Sequence, residues 1–326
     1  MNTDVLRTHS PAERAAAVQR AVTLLREHEP VALPTETVYG LAADALEASA
    51  VAKIFAAKER PRFDPLIVHL PTPEWLPTIA EIGSEKLVEN LASRFWPGPL
   101  TLVLRSRGRV PDIVTAGLTT VAVRMSAHEL FGEIVRAFER PLAAPSANRF
   151  GRISATRAAD VYEELGGRIP LIIDGGPTQH GVESTIISIK AGKIEILRRG
   201  PVSEEQLREF AAVVYPERGE RPVAPGQLRS HYAPATRLQI VNDAENFSLP
   251  ANLRAGLLAW KTTQASQFCE IRRLTNQGDL IEAATNLFRL LRELDRAGLD
   301  LIVAEAVPEE GIGCAMMERL RRAAAR

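Results

Sequence analysis

Lys58-Glu59-Arg60-Pro61-Arg62-Phe63-Asp64-Pro65-Leu66-Ile67-Val68-His69 sets three cations within five residues, closes each end of its central turn with a proline and runs through an apolar stretch to a histidine. Upstream, Val51, Ile54 and Phe55 recur at helical spacing and Lys58 continues that stripe. The spacing therefore places Lys58 in the last turn of a helix, on its core-facing side. Pro61 cannot sit within that helix and biases Arg60 towards extended backbone, so the chain turns out at Arg60. Leu66 to Val68 then reads as a short buried strand. Taken alone, such a cation cluster also fits a solvated loop. The proline brackets and the histidine at the strand end favour a phosphate site.

Working outward, 326 residues suffice for two domains, and 45% hydrophobic and 25% charged residues are ordinary for a globular protein. Forty basic and forty acidic residues cancel. That balance counts against a general nucleic-acid coat and leaves room for a local basic patch. Cys269 and Cys314 lie far apart in no metal-like spacing, which fits a reducing compartment. Met1 to Ser10 has no apolar run of signal-peptide type, and no segment approaches about 18 continuous apolar residues. The expected location is the cytoplasm, with no membrane contact.

Ser10-Pro11-Ala12-Glu13 is a capping box with proline at the first helical position, followed by a stripe of Val18, Ala21, Val22 and Leu25. Val31 to Leu33 reads as a strand running into Pro34-Thr35-Glu36-Thr37-Val38-Tyr39-Gly40, a turn rich in hydroxyls. Loops at strand ends are where open α/β sheets place ligands. Leu100 to Leu104 and Thr119 to Arg124 are further strands, and a helix is expected over Glu129 to Phe138. An arginine ending a buried strand requires a carboxylate, from protein or substrate. Pro145-Ser146-Ala147-Asn148 is a turn of small polar residues. Leu171 to Ile173 is a buried strand, and Gly181-Val182-Glu183-Ser184-Thr185 opens a hairpin that turns at Ala191-Gly192. Ser203 and Gln206 make a second capping box, with a helix to about Ala212.

From Val214 to Pro234 the chain becomes proline-rich and aperiodic, a semi-rigid linker. Strand-like runs at Leu238 to Val241, Leu257 to Trp260 and Leu301 to Ala304 follow. An amphipathic helix carries Ile281, Ala284, Leu287, Phe288 and Leu291, and another closes the chain. These elements suggest a small Rossmann-like unit without a dinucleotide fingerprint. The expected division is a catalytic domain over 1–213, a linker over 214–236 and a C-terminal domain over 237–326.

No phosphate-binding G-x-x-x-x-G-K-[ST], no nucleophile elbow and no zinc spacing among the six histidines is present. What remains is a set of cations and small hydroxyls on strand-end loops. Such a set suits a reaction that needs positioning and charge neutralisation, as phosphoryl or nucleotidyl transfer does.

Six motifs, in order, resemble the YrdC-type threonylcarbamoyl-AMP synthases. They are Pro34 to Leu41, Lys58-Glu59-Arg60-Pro61 with Pro65 to His69, Trp96 to Thr101, Val121 to Arg124, Pro145 to Asn148 and Gly181 to Thr185. His231-Tyr232-Ala233-Pro234 and the second unit resemble the family's long, two-domain form, and the resemblance covers nearly the whole chain. It implies an α/β fold: a YrdC-like twisted open mixed sheet with flanking helices, plus a smaller Rossmann-like C-terminal domain. It also implies synthesis of threonylcarbamoyl-AMP and pyrophosphate from L-threonine, bicarbonate (or carbon dioxide) and ATP with Mg²⁺. The product would pass to the tRNA threonylcarbamoyl transferase machinery, with no direct tRNA binding required.

Carried onto this sequence, Lys58, Arg60, Ser146 and Asn148 match the catalytic tetrad around the triphosphate. Thr35, His69, Arg124, Ala144 and Ser184 match threonine-contacting positions. Arg62, Thr120, Ser154, Arg198, His231 and Tyr232 match nucleotide-side positions. Glu36 and Asp174 receive no role, and no metal ligands are assigned. The linker departs from the family pattern at Gln227, Leu228 and Ser230. Asp64 stands where the family often has asparagine, and it is expected to pair with a nearby arginine. Two other readings account for the same cations: an RNA-binding module, and a related carbamoyl-adenylate-forming enzyme with another acceptor.

Overall fold

The Ala48–Lys58 helix ends as the prolines require. Glu59 caps it in the left-handed region (φ 55°), and the Arg60 amide returns to the Phe55 carbonyl at 3.1 Å. The structure, a computed structural model, describes residues 2–82, 85–216, 224–226, 232–250, 252–262 and 265–325.

Ile67–His69 lies inside a mixed sheet of 12 strands. Along the sheet the order is Asp4–Arg7, Leu171–Asp174, Val31–Leu33, Gly40–Asp44, Leu142–Ala143, Ile67–His69, Thr120–Arg124, Leu100–Ser106, Thr185–Lys190, Lys193–Arg198 and Val213–Val214. Ala80–Glu81 pairs antiparallel with Leu100–Ser106 at the side. Both faces are covered by helices, and successive residues of one strand enter different cores. Val31 and Leu33 join the cluster beneath the Pro11–Arg26 and Glu129–Phe138 helices, while Ala32 joins the cluster that holds Val51, Ile54, Val161 and Leu165. Such strands read as continuous apolar runs, without alternation.

The second sheet is wholly parallel, in the order Arg237–Val241, Leu301–Glu305, Ala255–Ala259 and Glu270–Arg273. The Leu280–Asp295 helix starts at Asp279, whose carboxylate accepts from the Ile281 and Glu282 amides at 2.7 and 3.4 Å. The two units share one apolar cluster: Val38, Ile153, Val182 and Tyr232 join Leu287, Phe288, Leu291 and Leu320.

Three expectations need correction. The helix after Ser203 is Glu204–Arg208 and stops short of Ala212, because the chain turns at Phe210 to form the Val213–Val214 strand against Ile194 and Glu195. Ile281 is 64% exposed. It sits in the first turn beside the cap, and the buried stripe of that helix begins at Ala283 and Ala284. Gly40, read as the end of the turn, instead opens a fully buried strand, Gly40–Asp44, whose other residues the sequence reading assigns to no element. Among the described residues, no helix is long and apolar enough to cross a membrane.

Candidate functional site

Because Ile67–His69 and Thr120–Arg124 run parallel, His69 and Arg124 are register partners at the same sheet end. Val31–Leu33 delivers the Pro34-to-Tyr39 turn to that end. There Thr35 Oγ1 donates to the Val38 carbonyl (2.6 Å) and accepts from the Thr37 and Val38 amides (3.1 and 3.2 Å). The hydroxyl thus builds the turn it sits on.

Arg124 finds its carboxylate within the protein. Its Nη2 donates to Glu36 Oε1 (2.6 Å), Nη1 to Thr37 Oγ1 (3.1 Å) and Nε to the Gly98 carbonyl (3.1 Å). Three of the five guanidinium N–H groups are used. Burial pushes the Glu36 carboxyl up, but Arg124, the Ser126 hydroxyl and the Ala127 amide outweigh it and hold the group at about 2. Glu36, given no role above, is the counter-charge that fixes Arg124. His69 is buried against Phe131, with ring centroids 4.8 Å apart and Nδ1 lacking a hydrogen bond among the described residues. Burial, with Arg124 nearby, pushes the imidazole down to about 3, so it is neutral near pH 7.

Across the cavity, Ser184 Oγ contacts Thr101 Oγ1 (2.8 Å) and accepts from Arg198 Nη2 (3.0 Å). Arg198 also donates to the Ser184 carbonyl from Nε (3.1 Å) and Nη2 (2.9 Å), and from Nη1 to the Pro225 carbonyl (3.3 Å). Arg60 bonds the Pro65 carbonyl (2.9 Å) and pairs with Asp64 (2.9 Å), the arginine partner expected for that carboxylate. Burial raises the Asp64 pKa against the pull of Arg60 and Lys58.

Lys58 is fully buried behind this surface. Its Nζ donates to the Ser146 carbonyl (2.6 Å) and to that of Asn148, so the ammonium clasps the Pro145-to-Asn148 turn from within. Burial, with Arg60 beside it, holds its pKa well below that of an ordinary lysine. Asn148 Nδ2 donates to the Arg149 and Arg152 carbonyls (2.8 and 3.0 Å), and its Oδ1 is buried with no hydrogen bond among the described residues.

One cavity therefore collects Thr35, Arg60, His69, Arg124, Ala144, Ser146, Ser184, Arg198 and Tyr232. Lys58, Asn148 and Ser154 stand outside its lining, and Arg62 is exposed. Thr120 lies at the opposite end of its strand, about 13 Å from Arg124 along the backbone. His231 and the departures at Gln227, Leu228 and Ser230 lie outside the described residues. The lining adds Thr37, Val38, Tyr39, Glu183, Pro225 and Gly226, to which no role was assigned. Glu183 was visible only as part of the 181–185 motif; nothing in its spacing marks it as a charged wall of the cavity.

The Sua5/YciO/YrdC family model, described as Telomere recombination, matches residues 23–200. The model described as Threonylcarbamoyl-AMP synthase, C-terminal domain, matches residues 202–325. A Pyrococcus abyssi protein named threonylcarbamoyl-AMP synthase is 41% identical over 324 residues, spanning 94% of this chain and 93% of that one. A crystal structure of P. abyssi Sua5 complexed with L-threonine is similar at a TM-score of 0.87, with 38% identity over 99% of this chain and 98% of that chain. A shorter relative of the same name from Vibrio cholerae is 32% identical over 186 residues, which is 97% of its length and 56% of this chain.

Proposed function

The chain belongs to the threonylcarbamoyl-AMP synthase family, and we propose that it joins L-threonine, bicarbonate (or carbon dioxide) and ATP into threonylcarbamoyl-AMP and pyrophosphate. The observation that supports this reading is the convergence of Arg60, Arg124 and Arg198 with small hydroxyls on one cavity at the ends of parallel strands. Two negatively charged substrates need such a set, and no covalent nucleophile is required.

On the Arg124 side the threonine carboxylate takes the guanidinium N–H groups left over from Glu36, Thr37 and Gly98. Thr35 and Ser184 offer oxygens to the substrate hydroxyl, His69 stays neutral beside it, and Ala144 leaves room for the backbone of the ligand. Bicarbonate takes up a proton and loses water to give carbon dioxide. The threonine amine forms a bond from its nitrogen to that carbon and releases a proton to solvent, and the resulting carbamate presents an oxygen to the α-phosphorus. A new O–P bond forms, the bond to the β-phosphate bridging oxygen breaks, and pyrophosphate departs with that electron pair. Arg60, Ser146 and Arg198 face the leaving phosphates, with Lys58 and Asn148 supporting the turn behind them. Ser154, Arg62, His231 and Tyr232 complete the nucleotide side.

Among the described residues, Glu36, Glu183 and Asp64 are each engaged by an arginine, so they do not fit a protein-held metal cage. Mg²⁺ enters bound to the triphosphate. The adenylate passes to the tRNA threonylcarbamoyl transferase machinery in the cytoplasm, without direct tRNA contact by this chain.

The test is pyrophosphate release from MgATP, with L-threonine and bicarbonate each present or omitted. Release that requires both supports the reading, and release indifferent to threonine defeats it. Lys58→Ala and Arg60→Ala should each abolish release in folded protein. Intact activity in both would remove the tetrad from the mechanism. Tight, threonine-independent and steeply salt-dependent RNA binding, with no pyrophosphate release, would favour the RNA-binding alternative.

A further inference from the structure

The Gly313–Ala324 helix belongs to the second unit, yet its Arg319 is only 1% exposed and inserted behind the wall of the first unit's cavity. Nε donates to Glu183 Oε2 at 2.8 Å and Nη2 donates to the Arg199 carbonyl at 2.9 Å. The guanidinium carbon lies 5.2 Å from the centre of the Tyr232 ring. The other Glu183 oxygen accepts from Ser154, and Tyr232 stacks on Phe288 of the Leu280–Asp295 helix at 5.6 Å. Glu183 and Tyr232 both line the cavity. Arg322, one turn further along, donates to the Gly226 carbonyl, also in the lining.

A carboxylate buried in the wall of a cavity that accepts a triphosphate opposes its own ligand, because like charges repel strongly where water is excluded. Arg319 removes that opposition from behind, and the same group covers the face of Tyr232, which lines the cavity. We propose that Arg319 is a positioning residue through which the second unit shapes the nucleotide half of the site, by neutralising Glu183 and fixing Tyr232. The proposal rests on the ATP-dependent reading given above. Burial alone pushes the Glu183 carboxyl up, but Arg319 and Arg198 reverse that and bring it to about 2, so the group is charged whenever nucleotide binds near neutral pH.

The full-length protein tests this by calorimetry with two separate probes, a non-hydrolysable MgATP analogue and L-threonine, and by the KM for ATP. Arg319→Met should weaken analogue binding and raise KM for ATP at least about tenfold, as expected when a buried charge loses its partner. L-threonine affinity should stay within about twofold. Adding Glu183→Gln to Arg319→Met should recover most of the loss, a coupling that independent sites do not show. Arg321→Ala, on the same helix but paired with Glu309 at the surface, should change neither affinity.

Unchanged analogue affinity in folded Arg319→Met overturns the proposal. So does a parallel fall in both affinities that tracks a lowered melting temperature, since that is what a merely structural role produces. If Arg319→Met does not fold, Arg319→Lys decides. Its ammonium keeps the charge but cannot reach both Glu183 and the Arg199 carbonyl, so analogue affinity should fall at least about threefold with threonine affinity held. Equal analogue affinities in wild type and Arg319→Lys would then overturn it. A wild type that binds no analogue at all removes the ATP reading itself, whereas product formation with an indifferent Arg319→Met removes only this inference.

Discussion

On the Glu36–Arg124 side of the cavity the polar contacts of Arg124 and Glu36 described above come from one sheet end: the turn after Val31–Leu33, the ends of two parallel strands, Gly98 just before Leu100–Ser106, and Ser126 and Ala127 just beyond Arg124. On the Glu183–Tyr232 side the same kinds of group are held by residues of a different unit, with Arg319, Arg322 and Phe288 reaching across. The first wall is built from short loops on a rigid sheet and carries its own counter-charges. The second depends on how two cores meet. The Vibrio cholerae relative, which matches only 56% of this chain, shows that a chain of the same name exists without room for the second unit. The first wall draws on none of the second unit's residues among the contacts described, whereas the second wall requires them. Each substitution below perturbs one wall and asks whether the effect stays on that wall's side of the site.

Arg124→Ala should have the largest effect. It leaves Glu36, 3% exposed, without its cation, and the loss of one partner from a buried pair costs about 3–5 kcal/mol. Urea unfolding should show that loss, and threonine binding should disappear from calorimetry because the carboxylate has lost its fork. The double variant Arg124→Ala with Glu36→Gln should regain stability without regaining threonine affinity. Recovery of threonine binding in that double variant would show that Arg124 acts through Glu36 and not on the substrate.

Gly181→Ala should act on the second wall, and less strongly. Gly181 has φ +68°, and a Cβ there would lie 2.3 Å from the Ala284 carbonyl oxygen of the second unit's helix. Backbone strain and that collision together should cost about 1–3 kcal/mol. The helix must shift away, carrying with it Phe288, which stacks on Tyr232. Nucleotide-analogue affinity should drop several-fold while threonine affinity holds. An equal drop in both would mean that the two walls are one mechanical unit, and the contrast drawn above would fail.

The same contrast explains what could be read from the sequence. The Lys58-to-His69 segment was legible because its information is local: helical spacing, two prolines that stop the helix, and an apolar run that starts a strand. The Asp64–Arg60 pair, four residues apart, was legible for the same reason. Glu36 was not, since its partner lies 88 residues away and sheet register alone brings them together. Arg319 lies 136 residues from Glu183, on a helix whose sequence reads as an ordinary amphipathic closing helix. Lys58 was placed on the correct face of its helix, but nothing local signals that two carbonyls of the Pro145-to-Asn148 turn would take its ammonium. Gly40–Asp44 escaped as a strand because small residues buried on both faces carry no alternation. The Leu280–Asp295 helix was legible in its stripe and misjudged only at Ile281, where the cap overrides the period.

The smallest effect belongs to the first wall and appears only as a slope. His69 is held neutral in the folded protein at about 3, far below its unfolded value of about 6.5. Between those values the unfolded chain binds the extra proton, so folded stability is full above pH 6.5 and declines as pH falls through the window. At pH 6.5, with half of the unfolded imidazoles protonated, this one group contributes a slope of about 0.7 kcal/mol per pH unit. His128 and His180 are also lowered, mainly by burial, and add slopes of the same sign. The informative quantity is therefore the difference between wild type and His69→Asn, followed by urea unfolding from pH 5.5 to 7.5. The variant should show the shallower decline. Parallel curves would mean that His69 titrates in the folded protein as it does in the unfolded chain, and a charged imidazole beside Arg124 would then have to be built into the threonine side of the site below about pH 6.5.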